Sequence, residues 1–179
     1  MTGWKSWKTY RENESWVEPL PKGGDLPWAL FYPAPYEVGS ANLGMHHVYR
    51  ALRRSGVGVE RFFLGPQSPY RSVESDTLLE RFSIISAGIA YENDVWSLMA
   101  WLQGASIPLS WKERGQCRGA PLVGVGGSLT SINPLSLFAL CDFIVLGDGE
   151  VSLADVVARL RRGGGRREEQ WEALSELPH

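Results

Sequence analysis

Glycine and small polar residues are concentrated between two apolar segments, in the stretch GVGGSLTSINP that runs from Gly124 to Pro134. Three of its first four residues are glycines. Glycine has no Cβ, so a ligand can approach the backbone closely and contact its amide groups. The same composition is typical of a tight turn without a ligand. The rest of the sequence is needed to distinguish a ligand-binding loop from such a turn.

Three further segments of this kind follow apolar stretches: PAPYEVGSANLG, SAGIAYEND and LGDGEVS. Each of the four segments precedes a predicted helix, and the free amide groups at a helix N-terminus favour anions such as phosphate. Small residues also let a large flat ligand lie against the backbone. These segments therefore predict ligand binding.

Familiar small-ligand and catalytic motifs do not fit the sequence. A dinucleotide fingerprint G-x-G-x-x-G that began at Gly124 would need a glycine where Leu129 stands. A phosphate-binding G-x-x-x-x-G-K-[ST] loop needs a Gly-Lys dipeptide, which the sequence lacks. A receiver-type phosphoacceptor site needs acidic residues at the ends of strands that finish here in Tyr-Pro and Ile-Ala. No nucleophilic triad is visible, so we assign no catalytic residues.

The ionisable residues near the glycine-rich segments each have two interpretations. His46 and His47 are neighbours on a predicted helix, so their side chains diverge by roughly 100° and cannot share a metal ion. We expect one half-buried and one surface histidine. Asp148 and Glu150 either cap the following helix or contact a ligand or a neighbouring domain. The Tyr-Glu pair at 36–37 either anchors its loop or contacts a ligand.

The composition excludes several classes of protein. The chain has 179 residues and a formal net charge of −2, so no overall basic field indicates nucleic-acid binding. No apolar run approaches the roughly 20 residues of a membrane-spanning helix, and the N-terminus has no apolar signal core. Cys117 and Cys141 form no metal-binding cluster and are expected to be free thiols. We expect a cytoplasmic protein that binds neither nucleic acid nor a membrane.

Five short apolar segments alternate with helical patterns, which predicts a parallel sheet covered by helices on both faces. The segments are residues 28–33, 59–64, 82–90, 121–127 and 141–147. We predict a three-layer α/β fold, Rossmann-like or flavodoxin-like, with five parallel strands in the order 2-1-3-4-5. In such sheets ligands bind beyond the carboxyl ends of the strands, where the four small-residue segments come together.

Capping residues and apolar stripes predict the helices that cover the sheet. Ser40 is expected to begin a helix that ends near Arg54, with Leu43 and His47 on its buried face. Asparagine or aspartate at 93–94 is expected to cap the next helix. Arginines in the last turn of the first helix agree with the preference of cations for a helix C-terminus.

The chain divides into three parts by composition. Residues 1–26 lack sustained periodicity and are predicted to form an N-terminal arm. The arm's interleaved tryptophans and lysines favour packing against the body or a missing domain over binding of single-stranded nucleic acid. Residues 27–162 hold the predicted sheet. Residues 163–179 begin with GGGRREE and are predicted to be a linker and a C-terminal helix.

The segment PLVGVGGSLTSINPLSLFALCDFIVLGDGE resembles the second half of the cobalamin-binding domain that precedes many radical S-adenosylmethionine (SAM) enzymes. That pattern has an apolar strand, Gly-Gly, a small polar turn and Asn-Pro, followed by a strand that ends in an acidic Gly-Glu motif. LFYPAPYEVGSANLG and FSIISAGIAYEND are similar to segments of an uncharacterised branch of the same superfamily. The resemblance covers residues from about 8 to 162.

This resemblance implies a Rossmann-like module, with the lower face of a corrinoid on the strand-end loops and its nucleotide tail between strands. The residues implied as cofactor contacts are Tyr36, Glu37, Gly39, Ser86, Gly88, Tyr91, Gly126, Gly127, Ser128, Asp148 and Glu150. Gly126 and Gly127 would let the tail pass against bare backbone. The implied partner is a radical SAM barrel, in the same parent chain or a separate one, toward which residues 163–179 would lead.

Two departures from the family pattern restrict what the resemblance implies. Cobalamin domains with a histidine cobalt ligand have Asp-x-His-x-x-Gly after the first strand, and PYEVGSANLG has no histidine there. Cobalamin bound here would lack that lower ligand. The motif of three cysteines is also absent, so a 4Fe-4S cluster and S-adenosylmethionine would belong to a catalytic domain outside this chain.

Three hypotheses about function stay open at this point. The first is a module that positions a corrinoid for a radical SAM enzyme. The second is a docking domain that kept the fold and lost the corrinoid. The third is a small-molecule or nucleotide-binding Rossmann protein unrelated to cobalamin.

Overall fold

The computed structural model describes residues 7–17, 19, 23–65 and 70–177. Within these residues, five parallel strands form one sheet in the order β2-β1-β3-β4-β5, which confirms the predicted fold class and topology. The strands are β1 (Asp25–Pro35), β2 (Val57–Leu64), β3 (Ile84–Gly88), β4 (Leu122–Gly126) and β5 (Phe143–Ile144).

Helices cover both faces of this sheet. They are α1 (Trp7–Glu12), α2 (Tyr36–Gly39), α3 (Leu43–Arg54), α4 (Glu92–Gly104), α5 (Trp111–Gln116), α6 (Ser128–Ile132), α7 (Gly149–Arg162) and α8 (Arg167–Ser175), with single 3₁₀ turns at Leu79–Arg81 and Pro134–Leu137. Side chains of α3 and α7 pack on one face, and side chains of α4 and α6 pack on the other. A membrane crossing would need a longer and more apolar helix than any of those described.

Alternate residues of β1 face opposite helix layers, as the geometry of a strand requires. Trp28 and Leu30 pack with α3 and α7. Ala29 and Phe31 pack with α4, where the Phe31 ring stacks on Trp101 with the ring centroids 4.1 Å apart. Because both faces of the strand are buried, its central residues 28–33 are all apolar and do not alternate with polar ones.

The structure corrects the predicted start and buried face of α3. The N-cap is Asn42, not Ser40, and its side chain accepts a hydrogen bond from the backbone N–H of Met45 at 2.8 Å. Ser40 instead ends α2, which takes up the preceding residues. Leu43 and His47 are consequently exposed. The buried residues of α3 are Met45, Tyr49, Leu52 and Arg53.

Strand β5 is shorter than predicted, and before its first residue a side chain takes one of the hydrogen bonds of the ladder. The backbone N–H of Val123 donates to Asp142 Oδ2 at 2.8 Å. The same carboxylate accepts hydrogen bonds from the guanidinium groups of Arg114 and Arg167. The side chains of Arg114 and Asp142 are completely buried. Asp142, Arg114 and Arg167, here called the Asp142 cluster, therefore join β4 and β5 to α5 and α8.

The C-terminal segment packs against the body of the domain through α8. Gln170 and Leu174 are buried, and the Trp171 ring stacks on Trp111 of α5 with the centroids 5.9 Å apart. The Gln170 side chain also donates to the carbonyl oxygen of Gly164 at 3.0 Å, which fixes the turn between α7 and α8. The division of the chain into arm, sheet domain and linker stays a prediction.

Both cysteines are free thiols in very different surroundings, since Cys117 is exposed and Cys141 is buried. Burial raises the pKa of the Cys141 thiol to about 12. Because a thiol must be ionised and accessible to react, we expect Ellman's reagent at about pH 8 to modify Cys117 alone in the folded protein. Guanidinium chloride should expose the second thiol, and Cys117→Ser should remove the native reaction. Reaction of both thiols in the folded protein would contradict this expectation.

Candidate functional site

A cavity of about 490 Å³ opens at the carboxyl edge of the sheet, between the strand ends and helices α3 and α7. Its wall includes the ends of β1, β3 and β4, the residues after β5, and the first turns of α3, α6 and α7. This is the part of an open parallel sheet where ligands bind. The volume falls within the range of about 300–1,000 Å³ that small-molecule sites usually have.

Small residues on the neighbouring strands β3 and β4 create this space. On the face toward α3 and α7, β3 presents Ser86 and Gly88, and β4 presents Gly124 and Gly126, because side chains alternate along a strand. The Phe143 ring fills the space above Gly124, where a Cβ would lie 2.2 Å from the ring. The other three positions line the cavity. The alternation is visible in the sequence as S-A-G and G-V-G.

Two of the hydroxyl groups in the cavity wall, those of Ser86 and Tyr32, accept a hydrogen bond within the protein and have a proton to donate. Ser86 Oγ accepts a hydrogen bond from the indole N–H of Trp28 at 2.7 Å, and the Tyr32 hydroxyl accepts one from Asn42 Nδ2 at 3.0 Å. Burial, with the Asp94 carboxylate nearby, raises the pKa of Tyr32, so its phenol stays protonated. Each hydroxyl therefore uses a lone pair within the protein and can donate to an acceptor atom of a ligand.

Negative charge at the mouth of the cavity comes from Asp148. Among the described residues of the wall it is the one carboxylate, and no lysine, arginine or histidine lines the cavity. Asp148 is the N-cap residue of α7, but its side chain makes no capping hydrogen bond. Such a wall offers a phosphate group no countercharge, and it favours uncharged or cationic groups.

The structure brings together six of the eleven residues predicted as cofactor contacts. Those six line the cavity: Ser86, Gly88, Gly126, Gly127, Ser128 and Asp148. Tyr36 and Glu37 form hydrogen bonds with the N-terminal arm instead, and Gly39 is buried against the Phe63 ring. Tyr91 is exposed outside the cavity. Glu150 lies in the first turn of α7, and its side chain is outside the described part of the structure.

Several residues of the cavity wall were not predicted from the sequence. Trp28, Tyr32 and Asn42 supply its polar contacts on the β1 side, and Phe143 and Val145 close the β5 side. The period of two along β1 places Trp28 and Tyr32 on the same face and could have identified them. Asn42 could not be found this way, because its position depends on the turn α2.

Gly127 is required by the backbone itself. Its φ of +107° lies in a region that other residues rarely adopt. A Cβ there would also lie 2.6 Å from the carbonyl oxygen of Ile89. The sequence analysis expected bare backbone at this position for a ligand, but the contact with Ile89 accounts for the glycine without one.

No metal centre is found in the described part of the chain, where no group of three or more His, Cys, Asp or Glu residues could hold an ion. The whole sequence has two cysteines, so a cubane held by three thiolates does not fit this chain. One histidine is half-buried and the other exposed, as expected, but the half-buried one is His46 and not His47. His46 Nε2 lies 2.6 Å from the carbonyl oxygen of Ser40, outside the cavity.

A family model described as the N-terminal region of radical SAM proteins matches residues 44–179, which include α3 except for its first residue and all elements that follow it. The chain belongs to this family. The match confirms the radical SAM part of the resemblance and extends through the C-terminal helix. A 4Fe-4S cluster and S-adenosylmethionine are thus cofactors of the parent radical SAM protein. No curated protein and no solved structure matches the chain.

Proposed function

We propose that this radical SAM N-terminal domain holds cobalamin at the carboxyl edge of its sheet and positions it for the catalytic domain. The observation that supports the proposal is the cavity of about 490 Å³ lined by Ser86, Gly88 and Gly126. A cavity of this size can take the planar base of the nucleotide tail, whereas the much larger corrin ring would remain outside. Bound cobalamin supplies a cobalt centre that carries a methyl group or takes part in radical chemistry.

The polar groups of the wall suit a heterocyclic base. The hydroxyl groups of Ser86 and Tyr32 can each donate to a ring nitrogen or another acceptor atom. Apolar contacts come from Trp28 and Leu30 on one side and from Phe143 and Val145 on the other. Since no described residue of the wall is a histidine, the chain would hold the cofactor without supplying a ligand to cobalt.

A docking domain without cobalamin is the second candidate, and the surface around the cavity favours it. Large apolar side chains are 57–74% exposed in the connections that follow β1, β3, β4 and β5 at the carboxyl edge. They are Val38, Leu43, Tyr91, Ile132, Leu135, Leu146 and Val151, here called the apolar rim. These connections contain no lysine or arginine. Exposed apolar surface of this extent is typical of a protein interface, and both candidates have the catalytic domain as partner.

Retention of hydroxocobalamin after desalting tests the first candidate. We expect the wild-type domain to keep a corrinoid absorption band and Gly88→Leu to lose at least about tenfold in affinity, because the new side chain fills the cavity. A Cβ at Gly88 has ordinary space, with the nearest atom at 3.8 Å in the Tyr32 ring, so the variant should still fold. Gly165→Leu, where nothing lies within 4 Å, is the matched control.

The outcomes of this experiment separate the two candidates. A folded wild-type domain that comes out colourless would reject cobalamin binding and leave the docking role. Equal retention by the wild-type domain and Gly88→Leu would show that the cofactor binds elsewhere. Circular dichroism of each variant checks that the fold is intact.

A further inference from the structure

The N-terminal arm is held against the turn α2 by hydrogen bonds and ring contacts. Tyr10 donates to Glu37 Oε1 at 2.5 Å, and Tyr36 donates to Glu14 Oε1 at 2.5 Å. The rings of Tyr10 and Tyr36 pack with their centroids 4.2 Å apart. Burial and the Glu14 carboxylate raise the pKa of Tyr36, so its hydroxyl remains a donor. The arm therefore contacts both polar side chains of α2.

Glu14 is itself fixed by a buried cation on the edge strand β2. Both of its carboxylate oxygens accept from Arg61 Nη2, at 2.8 and 2.7 Å. The Arg61 side chain is only 2% exposed, and its Nε donates to Glu74 Oε1 at 2.5 Å. Its guanidinium group lies 5.2 Å from the ring centroids of both Trp16 and Tyr49. Glu14 is thus a rigid anchor for the Tyr36 hydroxyl.

A short chain of contacts leads from α2 to the cavity. The backbone N–H of Asn42 donates to the carbonyl oxygen of Gly39 at 3.0 Å, which ties Asn42 to the turn. The Asn42 side chain donates to the Tyr32 hydroxyl and accepts from the Met45 N–H. Asn42, Tyr32 and Met45 all line the cavity. A displacement of α2 would therefore change the wall on the β1 and α3 side.

We propose that Glu14 is a positioning residue for the cavity: by holding Tyr36, the arm fixes α2 and, through Asn42, the wall that Tyr32 and Met45 form. This inference rests on the proposed function only in taking the cavity to be a binding site. It assigns the arm a role in the shape of the site, although no described residue of the arm lines the cavity.

Tyr36→Phe tests the inference because it removes one hydroxyl and leaves the Glu14–Arg61 ion pair in place. Hydrogen–deuterium exchange should become roughly three- to tenfold faster for amides 42–46 and stay unchanged in α4. Tyr70→Phe is the matched control, since Tyr70 packs against Trp101 on the opposite face of the sheet. Tyr70→Phe should leave hydrogen–deuterium exchange at amides 42–46 and in α4 at the wild-type rate.

Hydroxocobalamin retention should fall in Tyr36→Phe and not in Tyr70→Phe. If the wild-type domain retains no cobalamin, the proposed function fails, but the exchange measurement still tests whether the arm fixes the cavity wall. The two failures are therefore distinguishable. Unchanged exchange at 42–46 in a folded Tyr36→Phe variant would overturn the inference about the arm. Should Tyr36→Phe not fold, Glu14→Ala, which removes the acceptor of the Tyr36 hydroxyl and leaves Arg61 paired with Glu74, must give the same local acceleration.

Discussion

Asp142→Ala should lower the free energy of unfolding by about 3–5 kcal/mol, because it leaves the charge of Arg114 buried without a counterion. Both side chains are completely buried, and Asp142 accepts from Arg114 Nε at 3.0 Å and Nη2 at 2.9 Å. Burial already lowers the pKa of Arg114, which shows how poorly its surroundings solvate the charge. The variant also frees the backbone N–H of Val123, which joins β4 to the Asp142 cluster.

Urea unfolding followed by circular dichroism measures this loss. Domains typically have a stability of about 5–15 kcal/mol, so the variant should lose roughly a fifth of it or more. With a slope of about 2 kcal/mol per molar urea, the midpoint should fall by roughly 2 M. Asp155→Ala, at an exposed position of α7, is the control and should change the stability by less than about 0.5 kcal/mol. Similar midpoints for the two variants would mean that the Asp142 cluster contributes little.

Gly127→Ala is expected to destabilise the domain by about 3 kcal/mol, even though it adds a single methyl group. The φ of +107° costs roughly 1–3 kcal/mol for a residue with a side chain. The added Cβ would in addition lie 2.6 Å from the Ile89 carbonyl oxygen. That oxygen accepts the Leu129 N–H, and the Ile89 N–H donates to Gly126, so the clash cannot relax without loss of these bonds.

Gly126→Ala provides the comparison one residue earlier. A Cβ at this position would meet its nearest neighbour, the Val145 carbonyl oxygen, at an ordinary 3.6 Å, and the backbone is not strained. We expect a change below about 1 kcal/mol for this variant in the same urea experiment. Equal stability of the two variants would show that the loop after β4 adapts easily. If Gly127→Ala is unstable, its loss of ligand binding would say nothing about the cavity, whereas Gly126 and Gly88 remain useful probes.

The parallel arrangement of the strands could be predicted because apolar segments alternate with helical patterns, and parallel strands need such crossovers. Their order was predicted from the flavodoxin-like fold class, since the sequence alone does not fix it. The extent of β5 could not be predicted in the same way. Its late start is marked by the Asp142 side chain, which takes the Val123 N–H and whose orientation depends on Arg114 and Arg167. These residues come from distant segments of the chain, and no local pattern around residues 141–147 indicates that they meet there.

The buried face of α3 shows a second limit of sequence patterns. Leu43 with His47, and Met45 with Tyr49, are both spaced by four residues, so each pair can lie on one face of a helix. Which pair is buried depends on the turn α2. Because Ser40 ends this turn, the N-cap residue of α3 is Asn42 and not Ser40. Neighbouring helices cannot be placed reliably when the turn between them is not recognised.

The candidate site was predictable where glycine and serine mark the strand ends. Ser86, Gly88 and Gly126 lie together because parallel strands end at the same edge. Tyr36 and Glu37 occupy the same edge, yet their side chains contact the arm and not the cavity. The sequence gives no sign of this, since the position of the arm depends on its ion pair with Arg61 of β2.

The same arginine has a consequence for the solution behaviour of the domain. The terminal strand of an open sheet normally offers unpaired amides and carbonyls to other molecules, which is a route to aggregation. At Arg61 both groups are taken, since the N–H donates to Glu74 at 2.6 Å and the carbonyl oxygen accepts from Val73 at 2.9 Å. At this point of β2 a foreign strand finds no backbone partner, so the domain is protected there against intermolecular sheet growth.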